Sequence, residues 1–120
     1  SIQTDCQINY NIPAMQTAIS LLKGEHDFRS FCDNKRMKKS TVRTITDIQI
    51  TSHNNILTLD FYGNGFLYHM VRILTGTLLE IGAGLRKPEE ITDILQAKSR
   101  QTAGFTAPPQ GLFLADVQYH

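Results

Sequence analysis

Metal and thiol chemistry have little to work with in this sequence. Its two cysteines, Cys6 and Cys32, show neither ligand spacing nor a disulfide pattern, which suits a reducing cytoplasm. No Gly-rich phosphate loop, nucleophile elbow or Cys/His ligand spacing is present, so P-loop nucleotide chemistry, serine hydrolase chemistry and zinc sites are set aside. No apolar run approaches the roughly 20 residues needed to cross a bilayer, and no signal peptide opens the chain. With a net charge of +1, overall charge does not announce nucleic acid; only local clustering could. The first residue is Ser1 rather than methionine, so a piece of a longer protein is expected.

The 120 residues, 41% hydrophobic, suffice for one modest core. One domain over residues 1–120 is expected, or one half of a larger one. The chain reads in the order strand, helix, strand, strand, helix, strand. The first strand lies within Ile2 to Tyr10. A helix follows with Pro13 at its start, Met15, Ala18, Ile19 and Leu22 on one face, and Gly24 just past its end. Val42 to Thr51 and Ile56 to Tyr62 form a hairpin around Ser52 to Asn55, with Leu57, Leu59 and Phe61 alternating onto one face. A long core helix spans Gly65 to Ala83, and a short one begins at Pro88 with Ile91, Ile94 and Leu95 as its apolar side. In the last strand, Leu112 to His120, one face carries Phe113, Ala115, Val117 and Tyr119, while Leu112 and Leu114 point to the other side, which therefore needs a cover. This order is that of a ferredoxin-like, RRM-like split β-α-β-β-α-β unit: an α+β fold with an antiparallel sheet and helices on one face.

The most informative element is the core helix. At about 100° per residue, Tyr68, His69, Thr75, Gly76 and Leu79 all fall within roughly 60° of Arg72, and apolar side chains fill the opposite side. The stripe reads as one wall of a cleft, and Gly76 leaves room for something to approach closely. A cation in such a helix needs a partner. Two readings stand: Arg72 snorkels or pairs with Glu80, the only other charge on the helix, or it faces a carboxylate from outside the chain. For His69 the roles open are packing, RNA contact or catalytic base.

A second feature is cationic. Lys35, Arg36, Lys38, Lys39 and Arg43 place five of the twelve Lys and Arg within nine residues, and Lys98 and Arg100 can extend the patch. Such a loop suits phosphate contacts, which give affinity without reading sequence. A solvated loop with no partner is the plainer alternative. Phe28 and Phe31, in HDFRSF, are expected to pin the loop to the core rather than stack on bases.

GEHDFRSF at Gly24 to Phe31, VRTI at Val42 to Ile45, GNGFLYHMVRILTGTLLEIGAG at Gly63 to Gly84 and APPQGLFLADVQY at Ala107 to Tyr119 resemble, in order and spacing, motifs of the tRNA pseudouridine synthase A family. The resemblance covers nearly the whole chain after Ile12, and only the family's C-terminal half. It implies two ferredoxin-like halves along an extended sheet with an RNA cleft between them. It also implies isomerisation of uridines in the tRNA anticodon arm without metal or cofactor, by a homodimer. The family's catalytic aspartate lies in an R-T-D-G motif of the N-terminal half, which this sequence lacks; RTITD at Arg43 to Asp47 is a superficial echo. By the same resemblance, Arg72 matches the arginine that pairs with that aspartate, and Leu114 the leucine beneath the target base. The base would have to be flipped out of its stack to reach such a pocket. The fragment alone is then expected to be inactive. A non-catalytic RNA-binding or homodimerisation module is the alternative.

Overall fold

The computed structural model describes residues 2–5, 9–34, 36, 38–54, 56–107 and 117–119, with the backbone alone at 2–5 and 117–119. Five strands form one sheet: β1 (Ile2–Asp5), β2 (Gly24–Asp27), β3 (Val42–His53), β4 (Ile56–Gly63) and β5 (Val117–Tyr119). The order along the main path is β1-β4-β3-β2, and every neighbour on it is antiparallel. The β3–β4 hairpin carries the sheet. Leu57, Leu59 and Phe61 alternate into the core beside Ile45 and Ile48, as the period-two pattern requires. β3 runs on to His53, so the turn is tighter than the four residues read from sequence, with Asn54 left-handed at φ 50°.

Three helices cover the core face: α1 (Ile12–Leu22), α2 (Met70–Gly82) and α3 (Glu90–Ala97). Asn11 caps α1 by accepting from the Ala14 amide at 3.1 Å, and Met15, Ala18, Ile19 and Leu22 are the buried face. In α2 every residue is buried except Arg72 and Glu80, so the helix lies inside the fold and its two charges mark where it meets other polar groups. Gly82 admits α1, since a Cβ there would press on Met15 and Tyr10. Phe28 and Phe31 are fully buried with rings 6.2 Å apart, pinning the start of the cationic loop as expected. Buried Ser30 ties the same turn to α3, donating to the Ile94 carbonyl at 2.7 Å and accepting from the Ser99 amide at 2.9 Å.

The α+β, ferredoxin-like organisation therefore holds, with three differences. β2 is not in the sequence reading: GEHD is too short and polar for any periodicity, and its pairing with Val42–Ile45 exists because β3 offers it an edge. α2 begins at Met70, five residues later than the apolar pattern suggests, because His69 takes a left-handed conformation at φ 61° that breaks the helix before it. The sheet is not wholly antiparallel, since β5 pairs with β4 in parallel. β1 occupies the β4 edge at Ile56–Leu59 and β5 the same edge at Phe61–Gly63, so the two strands follow one another along it. Most of the last predicted strand, including Leu112 and Leu114, lies outside the described residues, as do Cys6 and Lys35. No helix among the described residues is long and apolar enough to cross a membrane.

Candidate functional site

Arg72 sits half-buried on the α2 stripe, and a second segment closes over it. Its Nε donates to the Ala107 carbonyl at 2.7 Å, and the Ala107 amide donates back to the Arg72 carbonyl at 3.0 Å. Upstream, the Gly104 amide donates to Thr77 Oγ1 at 2.9 Å, and Gly76 lets Phe105 pass so closely that a Cβ would run into the Phe105 carbonyl. The room read at Gly76 is thus filled by the chain itself. Thr75 and Thr77 return their hydroxyls to the carbonyls of Val71 and Ile73, which satisfies them inside the buried helix.

The Glu80 alternative for Arg72 falls. Glu80 accepts from Arg86 Nε at 3.1 Å, and Arg86 Nη1 also reaches the Thr102 carbonyl at 2.8 Å. Among the described residues, no carboxylate forms an ion pair with Arg72.

Tyr68 and His69 lie on the turn that precedes α2 rather than on the helix. Tyr68 is 63% exposed and stacks on His69, with ring centroids 3.8 Å apart and planes 23° from parallel. His69 Nδ1 lies 2.7 Å from Asp33 Oδ2, and the other oxygen of Asp33 accepts from Arg100 Nε at 2.8 Å. Arg100 also donates to the Gly104 carbonyl at 2.8 Å and to Thr106 Oγ1 at 3.0 Å. Desolvation works against the Asp33 charge. The hydrogen bonds and charges of His69 and Arg100 outweigh it and hold the carboxyl below its ordinary range. Asp33 does not stand out in the sequence, because an isolated aspartate next to a basic run carries no periodic signal.

The cationic residues differ in how they are held. Arg36, Lys38 and Lys39 are exposed, and among the described residues none of them joins an ion pair. Arg43 folds its guanidinium back onto the carbonyls of Ser40 and Val42 at 2.8 and 2.7 Å, and Arg100 is held by its bonds to Asp33, Gly104 and Thr106. Lys98, left-handed at φ 49° at the end of α3, is 60% exposed and 4.0 Å from Asp27. It borders a cleft of about 240 Å³ with Arg29, Asn34, Arg100 and Gln101. Arg29 is the one cation of this rim that sequence reasoning missed. Its place in HDFRSF beside the buried Phe28 and Phe31 was the available signal.

Fold and site together define a ferredoxin-like α+β unit that presents one core-helix arginine, an aspartate bridged between His69 and Arg100, and a cationic rim. The family model described as tRNA pseudouridine synthase matches residues 18–120, and the chain belongs to that family. The tRNA pseudouridine synthase A of Geobacillus sp. (strain WCH70) is 49% identical over 109 residues, covering 91% of this chain and 44% of that protein. That of Halalkalibacterium halodurans is 52% identical over 102 residues, covering 85% and 39%. That of Thermoanaerobacter sp. (strain X514) is 46% identical over 109 residues, covering 91% and 45%. The chain thus spans less than half the length of these curated relatives.

Proposed function

We propose that residues 1–120 form the C-terminal half of a cytoplasmic, homodimeric tRNA pseudouridine synthase that isomerises uridine in the anticodon arm. The reaction breaks the N1–C1′ glycosidic bond, joins C1′ to C5, releases the C5 proton and returns a proton to N1, so no oxidant or cofactor is needed. In this reading the N-terminal half supplies the catalytic aspartate. Arg72 pairs with it, keeps it ionised and aims it at the flipped nucleoside. Leu114 packs beneath the base. The observation that carries the reading is Arg72 itself: a half-buried guanidinium on the core helix, anchored through Nε and with no carboxylate partner among the described residues. A cation so placed calls for an anion from elsewhere.

The rest of the tRNA contact falls to Arg36, Lys38, Lys39 and Lys98, with Lys35 beside them in the sequence and Arg43 and His69 as further candidates. The Arg29–Lys98 cleft is of a size to take a phosphate. The same exposed cations favour the second reading, an RNA-binding module without catalysis. Arg72→Ala in the protein extended to the full length of its relatives separates the two. Proton release from C5 of tRNA uridines should be abolished while anticodon-arm RNA still binds with near wild-type affinity. Wild-type turnover in Arg72→Ala would sink the catalytic role of Arg72.

A further inference from the structure

Arg72 is useful for pairing only if its terminal nitrogens are aimed, and an arginine side chain has rotamer entropy to lose before it points one way. The aiming group is the Ala107 carbonyl on Nε. That carbonyl belongs to an irregular segment, Gly104 to Ala107, with no strand or helix of its own to fix it. Besides the Ala107 amide bound to the Arg72 carbonyl, contacts along the segment set its position. Thr77 and the Gly76 notch hold it against α2, and Arg100 grips it twice, at Gly104 and Thr106.

Arg100 in turn is oriented by Asp33, whose second oxygen meets His69. His69 is the residue immediately before α2 and accepts at its carbonyl the Ile73 amide at 2.9 Å, so it is part of the first turn from which Arg72 projects. The bonds close a circuit: Arg72, Ala107, the Gly104–Thr106 segment, Arg100, Asp33, His69, and back to α2. Its links join residues 35, 67 and 36 positions apart in the chain. A left-handed histidine at φ 61° is uncommon for a non-glycine residue, and the Asp33 bond together with the Tyr68 stack holds it there.

We propose that Asp33 and Arg100 are positioning residues for Arg72: they hold the Gly104–Ala107 strap so that the Ala107 carbonyl fixes the guanidinium toward its carboxylate partner. This rests on Arg72 being the partner of the catalytic aspartate. Arg100 is therefore a brace inside the domain rather than an RNA contact, and Lys98 is left to the solvent-facing rim.

The test uses Arg100→Lys, which keeps the charge beside Asp33 but cannot reach three acceptors at once, and Thr106→Val, which deletes one acceptor with little change of volume. In the full-length protein, Arg100→Lys should lower kcat about tenfold or more, the scale of a lost charge-assisted hydrogen bond, with KM for tRNA unchanged. Thr106→Val should give a smaller loss of the same kind. In an Arg72→Lys background Arg100→Lys should add nothing, because it acts through Arg72. In the 120-residue chain, the Arg72 Nε proton and the Ala107 amide should exchange slowly, and faster in Arg100→Lys. A variant that loses thermal stability while keeping wild-type kcat would overturn the proposal, and so would additive losses with Arg72→Lys. If Arg72→Ala itself retained activity, the reading of Arg72 would fail first, whatever Arg100 does.

Discussion

Arg72 and Ala107 bind each other twice, side chain to carbonyl at 2.7 Å and amide to carbonyl at 3.0 Å, across 35 residues of sequence. This reciprocal pair fixes the core-helix cation to the backbone of a segment that has no regular structure. It also makes the aim of Arg72 depend on everything that holds that segment down.

Gly76→Ala should loosen the pair without touching either partner. The added methyl meets the Phe105 carbonyl, which is backbone and cannot swing away as a flexible side chain could. Either the strap lifts or the helix shifts, at a cost of about 1–3 kcal/mol. Urea unfolding should show the lower midpoint. An unchanged midpoint would mean the strap is loosely held.

Acid should weaken the Asp33 bridge. Because the folded-state carboxyl is held below its ordinary value of 3.8, its contribution to stability is complete above about pH 4 and is lost as pH falls through the folded value. The stability gap between wild type and Asp33→Asn should therefore shrink as pH falls below 4. Asp47, lowered by the hydrogen bond from Lys23 against an opposing desolvation, titrates in the same direction, so Asp47→Asn is the needed control. A gap that persists undiminished to about pH 2.5 would show that the Asp33 charge contributes nothing.

RNA affinity should follow the exposed cations. Replacing Arg36, Lys38 and Lys39 together by alanine should weaken binding of anticodon-arm RNA and reduce the slope of log affinity against log salt by about 2 to 3, at roughly 0.7–0.9 for each phosphate no longer neutralised. Arg43→Ala should do less, since its guanidinium already serves two backbone carbonyls. Fluorescence anisotropy at several salt concentrations reads both quantities. An unchanged slope in the triple variant would place the RNA elsewhere.

The 120-residue chain by itself should form no pseudouridine. In the proposed reading it contributes Arg72 and part of the RNA surface, while the aspartate comes from the other half. A sensitive C5 proton-release assay on anticodon-arm RNA checks this. Turnover by the purified chain would require a nucleophile within these residues.

Much of the fold was legible because it is local. Met15, Ala18, Ile19 and Leu22 at helical spacing, and Leu57, Leu59 and Phe61 at strand spacing, state which side of each element is buried. The α2 stripe was legible for the same reason. Its N-terminal limit was not, since the left-handed turn at His69 depends on an aspartate 36 residues away. β2 escaped because four polar residues become a strand only beside an existing edge.

The sequence by itself determined the buried faces, the two phenylalanine anchors, the cationic run and the place of one arginine on a core helix, because each follows from short-range spacing of residue types. Only the tertiary structure decided that the small-residue stripe is covered by Gly104–Ala107, that Glu80 belongs to Arg86, and that Asp33 joins His69 to Arg100. These are single polar contacts made where distant segments happen to return. A hydrogen bond between two residues far apart in sequence leaves no periodic trace, so it becomes visible only once the hydrophobic faces have brought those segments together.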